Sequence, residues 1–200
     1  MSKPRLVVLV SGSGSSLQAL LDACDTDQLN AEIVAVFSNK KKAFGLERAK
    51  RAKVPNIHVP YAPFADQGRA AYDAALAKQV VDFAPDLIVL AGWMRILTRA
   101  FLDQFPSRII NLHPALPETY IGANGIEWAF NSFQNGDIKH GGCMVHYVIP
   151  AVDEGQPIDT EIVPIFPHDT QDDYAQRLHA ADHILIVRAT QKALKALSAN

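Results

Sequence analysis

Cysteine is scarce in this chain. Cys24 and Cys143 are the only two in 200 residues, too few for a disulfide framework and without the paired spacing of a zinc knuckle, so both read as reduced, partly buried thiols. Long apolar runs are also lacking: stretches such as residues 6–10 and 87–91 stop far short of the roughly 20 residues that cross a bilayer, which argues against a membrane protein. The opening Met1-Ser2-Lys3-Pro4-Arg5 leads into a run too short for a signal-peptide core, with no plausible cleavage site after it, so a cytoplasmic location is the expectation. Basic excess is missing as well. With 19 Lys and Arg against 21 Asp and Glu, and no basic cluster interleaved with aromatics, nothing attracts a nucleic acid. The one basic run, Lys40-Lys41-Lys42, reads as a solvated turn. His179 and His183 stand four apart, the spacing of a helical metal pair, but Ala180 follows where a Glu would complete the pattern and no third ligand is evident, so no metal is expected. What remains, 48% hydrophobic and 20% charged residues, is the composition of a soluble globular protein with one good core.

Periodicity organises that core. Residues 6–10 form a continuous Val-rich run, the mark of a strand buried on both faces, and a small-residue turn at 11–16 leads into helical spacing over 17–23. Strand and helix keep alternating: strands at 33–37, 56–59, 86–91 and 108–112, helices at 44–52, 68–83 and 98–104. This alternation predicts an α/β fold with a doubly wound, mostly parallel sheet. After residue 113 the texture changes. A loop at 114–125 and a helix at 126–134 precede two apolar stretches, 142–149 and 157–166, with no helix between them; they read as antiparallel strands around the turn at Asp153-Glu154-Gly155. Asp169-Thr170 then caps a long C-terminal helix that runs to about residue 197.

Asn111-Leu112-His113 closes the fifth strand. Side chains two apart on a strand share a face, so a carboxamide and an imidazole stand together there, and Pro114 keeps the segment extended. Two readings fit the spacing: a site that stabilises a developing oxyanion, or a His that caps the strand by bonding to backbone. Asp153 is likewise open. It could hold His113 in one tautomer and favour its charged form, or bond its own turn. His146, between Val145 and Tyr147, reads as a satisfied core or edge histidine. Ser11-Gly12-Ser13-Gly14-Ser15-Ser16 joins the first strand to a helix, where backbone N–H groups and the helix dipole suit a phosphate. Leu17 breaks the dinucleotide fingerprint and no Gly-Lys-Ser/Thr is present, so a monophosphate suits the turn better than a triphosphate.

Taken in order along the chain, several segments resemble the folate-dependent formyltransferases, in the phosphoribosylglycinamide formyltransferase branch: residues 7–15, Phe44-Gly45-Leu46-Glu47-Arg48-Ala49, residues 90–97, Asn111-Leu112-His113-Pro114-Ala115-Leu116-Pro117, and Val145-His146-Tyr147 leading to Asp153-Glu154-Gly155. The resemblance implies a Rossmann-like formyltransferase fold spanning residues 1–200 as one domain, with a phosphate- and ribonucleotide-binding half at 1–112 and a folate-binding, catalytic half at 113–200. It implies transfer of the formyl group of 10-formyltetrahydrofolate to the amine of glycinamide ribonucleotide, with small-molecule substrates and no metal. Asn111, His113 and Asp153 would be catalytic; Gly14, Ser15, Ser16 and Asp182 would bind the ribonucleotide; and Arg69, Met94, Arg95, Ile96, Leu97, Asn111, Ile149, Pro150, Ala151, Val152 and Asp153 would line the folate site. Three departures stand out. Ser16 replaces a frequent Asn, Asp182 replaces the usual ribose-binding Glu, and Gly125 stands where relatives carry a His before a helix. Two alternatives stay open: a hydrolase releasing formate from the folate, and a non-catalytic module for a phosphorylated metabolite. Leu116-Pro117 is a candidate cis peptide.

Overall fold

The computed structural model describes residues 2–198. Seven strands form one sheet: β1 (Arg5–Val10), β2 (Glu32–Ser38), β3 (Asn56–His58), β4 (Leu87–Leu90), β5 (Ile109–His113), β6 (His140–Tyr147) and β7 (Pro157–Pro164). They lie in the order β3-β2-β1-β4-β5-β6-β7. The first five are parallel, and β5–β6 and β6–β7 are antiparallel, the arrangement that the alternation of strands and helices predicts.

The helices are α1 (Ser15–Asp25), α2 (Phe44–Arg51), α3 (Gly68–Val81), α4 (Arg99–Leu102), α5 (Gly125–Gln134) and α6 (Gln171–Ser198), with one turn of 3-10 helix at Ala62–Phe64. Among the described residues no helix is long and apolar enough to cross a membrane. Because β1 and β4 are covered on both faces, each splits its apolar side chains by parity. Leu6, Val8 and Val10 join the core under α1, α2, α5 and α6, whereas Val7 and Leu9 join the core under α3 and α4. The 28 residues of α6, about 42 Å of helix, bury Tyr174, Leu178, Leu185, Ala189 and Ala193, one to two turns apart along a single stripe.

The chain winds outward in one direction from β1 through β2 to β3 and in the other through β4 to β5. The loops leaving the C-terminal ends of β1 and β4 therefore diverge and open a crevice between them. The turn after β1 fills one side of it. Gly14 adopts φ +68°, and a Cβ there would lie 2.6 Å from the Cα of Gly45, which opens α2. Gly45 N–H donates to the Gly12 carbonyl (3.1 Å), and Arg48 Nε–H donates to the Ser13 carbonyl (2.9 Å), so α2 clamps the turn at the start of α1.

Element ends moved by a residue or two, and two differences have clear causes. Pairing with β7 carries β6 back to His140 through Gly141 and Gly142, which have no side chains to show alternation. The helix expected at 98–104 shrinks to four residues, because Pro106 and the left-handed Ser107 (φ +59°) must turn the chain into β5. The peptide between Leu116 and Pro117 is trans, as are all those among the described residues, which corrects the cis expectation.

Gly14→Ala combines a left-handed backbone with a collision against Gly45. The expected loss is about 3 kcal/mol of unfolding free energy, from roughly 1–2 for the backbone and a similar overpacking cost. Urea denaturation checks it, with the exposed Ser13→Ala as a near-neutral control.

Candidate active site

The antiparallel pairing of β5 and β6 sets the site. Asn111 and His113 share the face of β5 that carries Ile109, and the register puts His146 directly across from Asn111. The chain leaves β6, turns, and returns to β7, and in that turn Asp153 holds a left-handed backbone (φ 56°), which Asp tolerates better than most residues. Its carboxylate points back at the strand ends. Oδ2 lies 3.5 Å from His113 Nδ1 and accepts the Gly122 N–H at 3.1 Å. Oδ1 accepts the Asn111 amide N–H at 3.4 Å and lies 3.6 Å from His146 Nε2. Burial alone would push this carboxyl up; the His146 hydrogen bond, the His113 ring and the Gly122 N–H outweigh it and hold Asp153 below the ordinary carboxylate value.

Backbone carbonyls place one proton on each ring. His146 Nδ1–H donates to the Tyr147 carbonyl (2.9 Å), and its Nε2 lies 3.2 Å from the Asn111 amide nitrogen and 3.6 Å from Asp153 Oδ1. His113 Nε2–H donates to the Tyr120 carbonyl (3.0 Å), so a second proton, on Nδ1, would face the Asp153 carboxylate. The loop after β5 is thus tied into the site at two points, through Tyr120 and Gly122. The two rings meet edge to face at 82°, their centroids 6.4 Å apart.

A cleft of about 330 Å³ opens on this cluster, at the lower end of the size range of small-molecule sites. Of the expected folate-site residues, Met94, Arg95, Ile96, Leu97, Asn111, Ile149, Val152 and Asp153 line it. Arg69, exposed in the first turn of α3, and Pro150 and Ala151, exposed at the tip of the β6–β7 turn, lie outside its lining. Gly14, Ser15 and Ser16 sit at the start of α1, where the N–H groups of Ser15, Ser16 and Leu17 precede the first helical bond, from Gln18 N–H to the Gly14 carbonyl. Ser11 joins turn and cleft. Its hydroxyl donates to Asn39 Oδ1 (2.7 Å) and accepts the Met94 N–H (2.9 Å). Asp182 is buried in α6, with Oδ2 3.3 Å from His179 Nδ1 and Oδ1 without a protein partner.

Sequence reasoning missed the part played by His146. It is buried, as a core histidine would be, but it belongs to the Asn111–Asp153 cluster, and the only signal for that is the β5–β6 register, which 26 intervening residues conceal. Gly125 has a packing reason: a Cβ there would lie 2.6 Å from the Pro114 carbonyl oxygen, so no imidazole fits at that position without moving the loop.

The comparisons with known proteins agree with this geometry. The formyl transferase family model matches residues 4–190. The chain is 45% identical over 194 residues to the phosphoribosylglycinamide formyltransferase of Schizosaccharomyces pombe, covering 92% of this chain and 94% of that protein. It is 42% identical over 180 residues to the Escherichia coli protein of the same name, covering 90% and 82%. Among solved structures, glycinamide ribonucleotide transformylase 1 from Symbiobacterium toebii superposes with a TM-score of 0.88 at 37% identity, over 95% of this chain and 87% of that one. Because the match runs from before β1 into the last helix, through every strand that builds the cleft, the chain belongs to the formyl transferase family.

Proposed function

We propose that this chain transfers the formyl group of 10-formyltetrahydrofolate to the amine of 5-phosphoribosylglycinamide, giving the formylated ribonucleotide and tetrahydrofolate in de novo purine biosynthesis. One observation carries the reading: the Asp153 carboxylate stands beside both Asn111 and His113 at the inner end of a largely apolar cleft of about 330 Å³. Names of relatives in several kingdoms support it. In this reading residues 1–200 act as one unit. The 1–112 half supplies the phosphate turn and the 113–200 half the catalytic strand ends, with the folate cleft walled by both.

The amine nitrogen attacks the formyl carbon, whose carbonyl oxygen becomes an oxyanion. Asn111 and protonated His113 stabilise that charge, the oxyanion taking the place on His113 Nε2 that the Tyr120 carbonyl holds in the free protein. Collapse breaks the bond to the folate nitrogen N10, which takes up a proton as the attacking nitrogen loses one. Asp153 orients His113 and His146 orients Asn111. The N–H groups of Ser15 and Ser16 at the start of α1, after Gly14, hold the phosphate. Met94, Ile96, Ile149 and Val152 supply apolar contacts to the pterin, while Arg69, Pro150 and Ala151 lie further out along the folate. The thiols of Cys24 and Cys143 are unpaired, which fits a reducing, cytoplasmic setting. A formate-releasing hydrolase would need no phosphate turn, and a pure binder no Asp153 beside His113.

His113→Ala is expected to lower transfer by about 10³-fold while the protein stays folded, measured by absorbance of the folate product with each substrate omitted in turn. Formate release at full rate without the ribonucleotide would favour the hydrolase. Asp153→Asn keeps the left-handed turn and is expected to cost about 10²-fold in kcat with little change in ribonucleotide binding. The same variant tests linkage. Because Asp153 is held below its ordinary value when folded, its stabilising charge is fully present above about pH 4 and is lost as pH falls through the folded value. The stability gap between the two proteins should therefore be level near neutrality and close in acid, as followed by denaturant titrations at several pH values.

A further inference from the structure

The reaction leaves one buried charged group without a task. Asp73, in α3, is fully shielded from solvent. Its Oδ2 accepts the Thr98 N–H at 2.6 Å, and its Oδ1 has no partner. Burial pushes this carboxyl up, while the Thr98 N–H, then the Thr98 hydroxyl beside it and, more weakly, Arg69 and Arg95 pull it down. A carboxylate buried in this way costs stability unless the position it enforces is needed.

What it enforces is the wall of the cleft. Residues 92–97 carry no helix or strand, yet Gly92 through Leu97 line the cleft consecutively. Irregular backbone of this kind has to be fastened from outside. At its start, Ser11 N–H donates to the Gly92 carbonyl (2.9 Å) and Met94 N–H donates to Ser11 Oγ (2.9 Å). In the middle, the Arg95 guanidinium lies 3.8 Å from the ring centroid of Tyr61 and 5.2 Å from that of Tyr72. At its end the Thr98 carbonyl accepts the Phe101 and Leu102 N–H groups of α4, and Asp73 takes the Thr98 N–H. Thr98 is the N-cap of α4 and makes no side-chain cap bond, so a carboxylate from another helix binds the N–H that a capping-box Glu would bind.

We propose that Asp73 is a positioning residue for the formyl donor: through the Thr98 N–H it fixes the far end of the 92–97 wall, and with it the Met94–Leu97 backbone against which the donor binds. The proposal rests on the reading that this cleft takes the donor. It predicts a defect confined to one substrate, because α2 clamps the phosphate turn and Asp73 acts at the end of the wall away from Ser11.

The test measures Asp73→Ala, Asp73→Asn and the wild type with both substrates varied. Asp73→Ala should raise KM for 10-formyltetrahydrofolate about tenfold, the loss of roughly one hydrogen bond to a charged group, while kcat and the ribonucleotide KM change less than about twofold. Asp73→Asn keeps an acceptor for Thr98 and should bring the donor KM back to within about threefold of wild type. A second readout needs no substrate. In a Trp128→Phe background the fluorescence of Trp93, inside the wall and 7% exposed, should become more accessible to acrylamide in Asp73→Ala than in its parent. Should Asp73→Ala fail to fold, Thr98→Pro removes the same N–H from a residue at φ −87°, near proline's range, and should give the same KM split. Equal rises in both KM values, or an unchanged donor KM with unchanged Trp93 quenching, would overturn the proposal. A wild type that cannot use the folate at all would instead sink the functional reading, and Trp93 quenching would still decide the role of Asp73.

Discussion

The carboxylate of Asp153 gathers the site. Its two oxygens face an amide from β5, a ring from β5, a ring from β6 and a backbone N–H from the loop between those strands. Burial works against the charge, but each charge-assisted contact is worth more in a shielded pocket than in water, and together they keep the group ionised. The cost of its left-handed backbone is part of the same account, because only that turn aims the carboxylate back at the strand ends.

Around this cluster the sheet supplies what a small side chain cannot. Strand order reverses at β1, so the turn that suits a phosphate and the wall that suits a flat heterocycle leave neighbouring strands and lie side by side. Ser11 physically joins them, donating toward Asn39 on one side and accepting from Met94 on the other. The two substrates of a group transfer must meet within bonding distance, and a crevice at the point of strand reversal brings them there without a domain interface.

Much of this was legible in the chain. The doubly buried run at 6–10 announced a central parallel strand, and the parity of Asn111 and His113 put their side chains on one face, because both signals are local periodicities. Gly14 could be read as a tight turn, but not its collision partner Gly45, which is more than thirty residues away. His146 looked like an ordinary core histidine, since nothing local gives the register that sets it opposite Asn111. Gly125 looked like a missing imidazole and is instead a place where helix and loop touch too closely for a side chain. Asp73 carries no local signal of its place in the cleft wall. A carboxylate on a helix reads as solvated until the fold buries it.

By itself, the sequence determined the kinds and order of elements, the phosphate-compatible turn and the pairing of Asn111 with His113, because each depends on neighbours within a few residues. Only the tertiary structure decided which oxygen of Asp153 meets which partner, and that Asp73 and Ser11 fasten the cleft wall. Those contacts join residues 25 to 83 positions apart, and their distances follow from sheet register and helix packing, which no local pattern encodes.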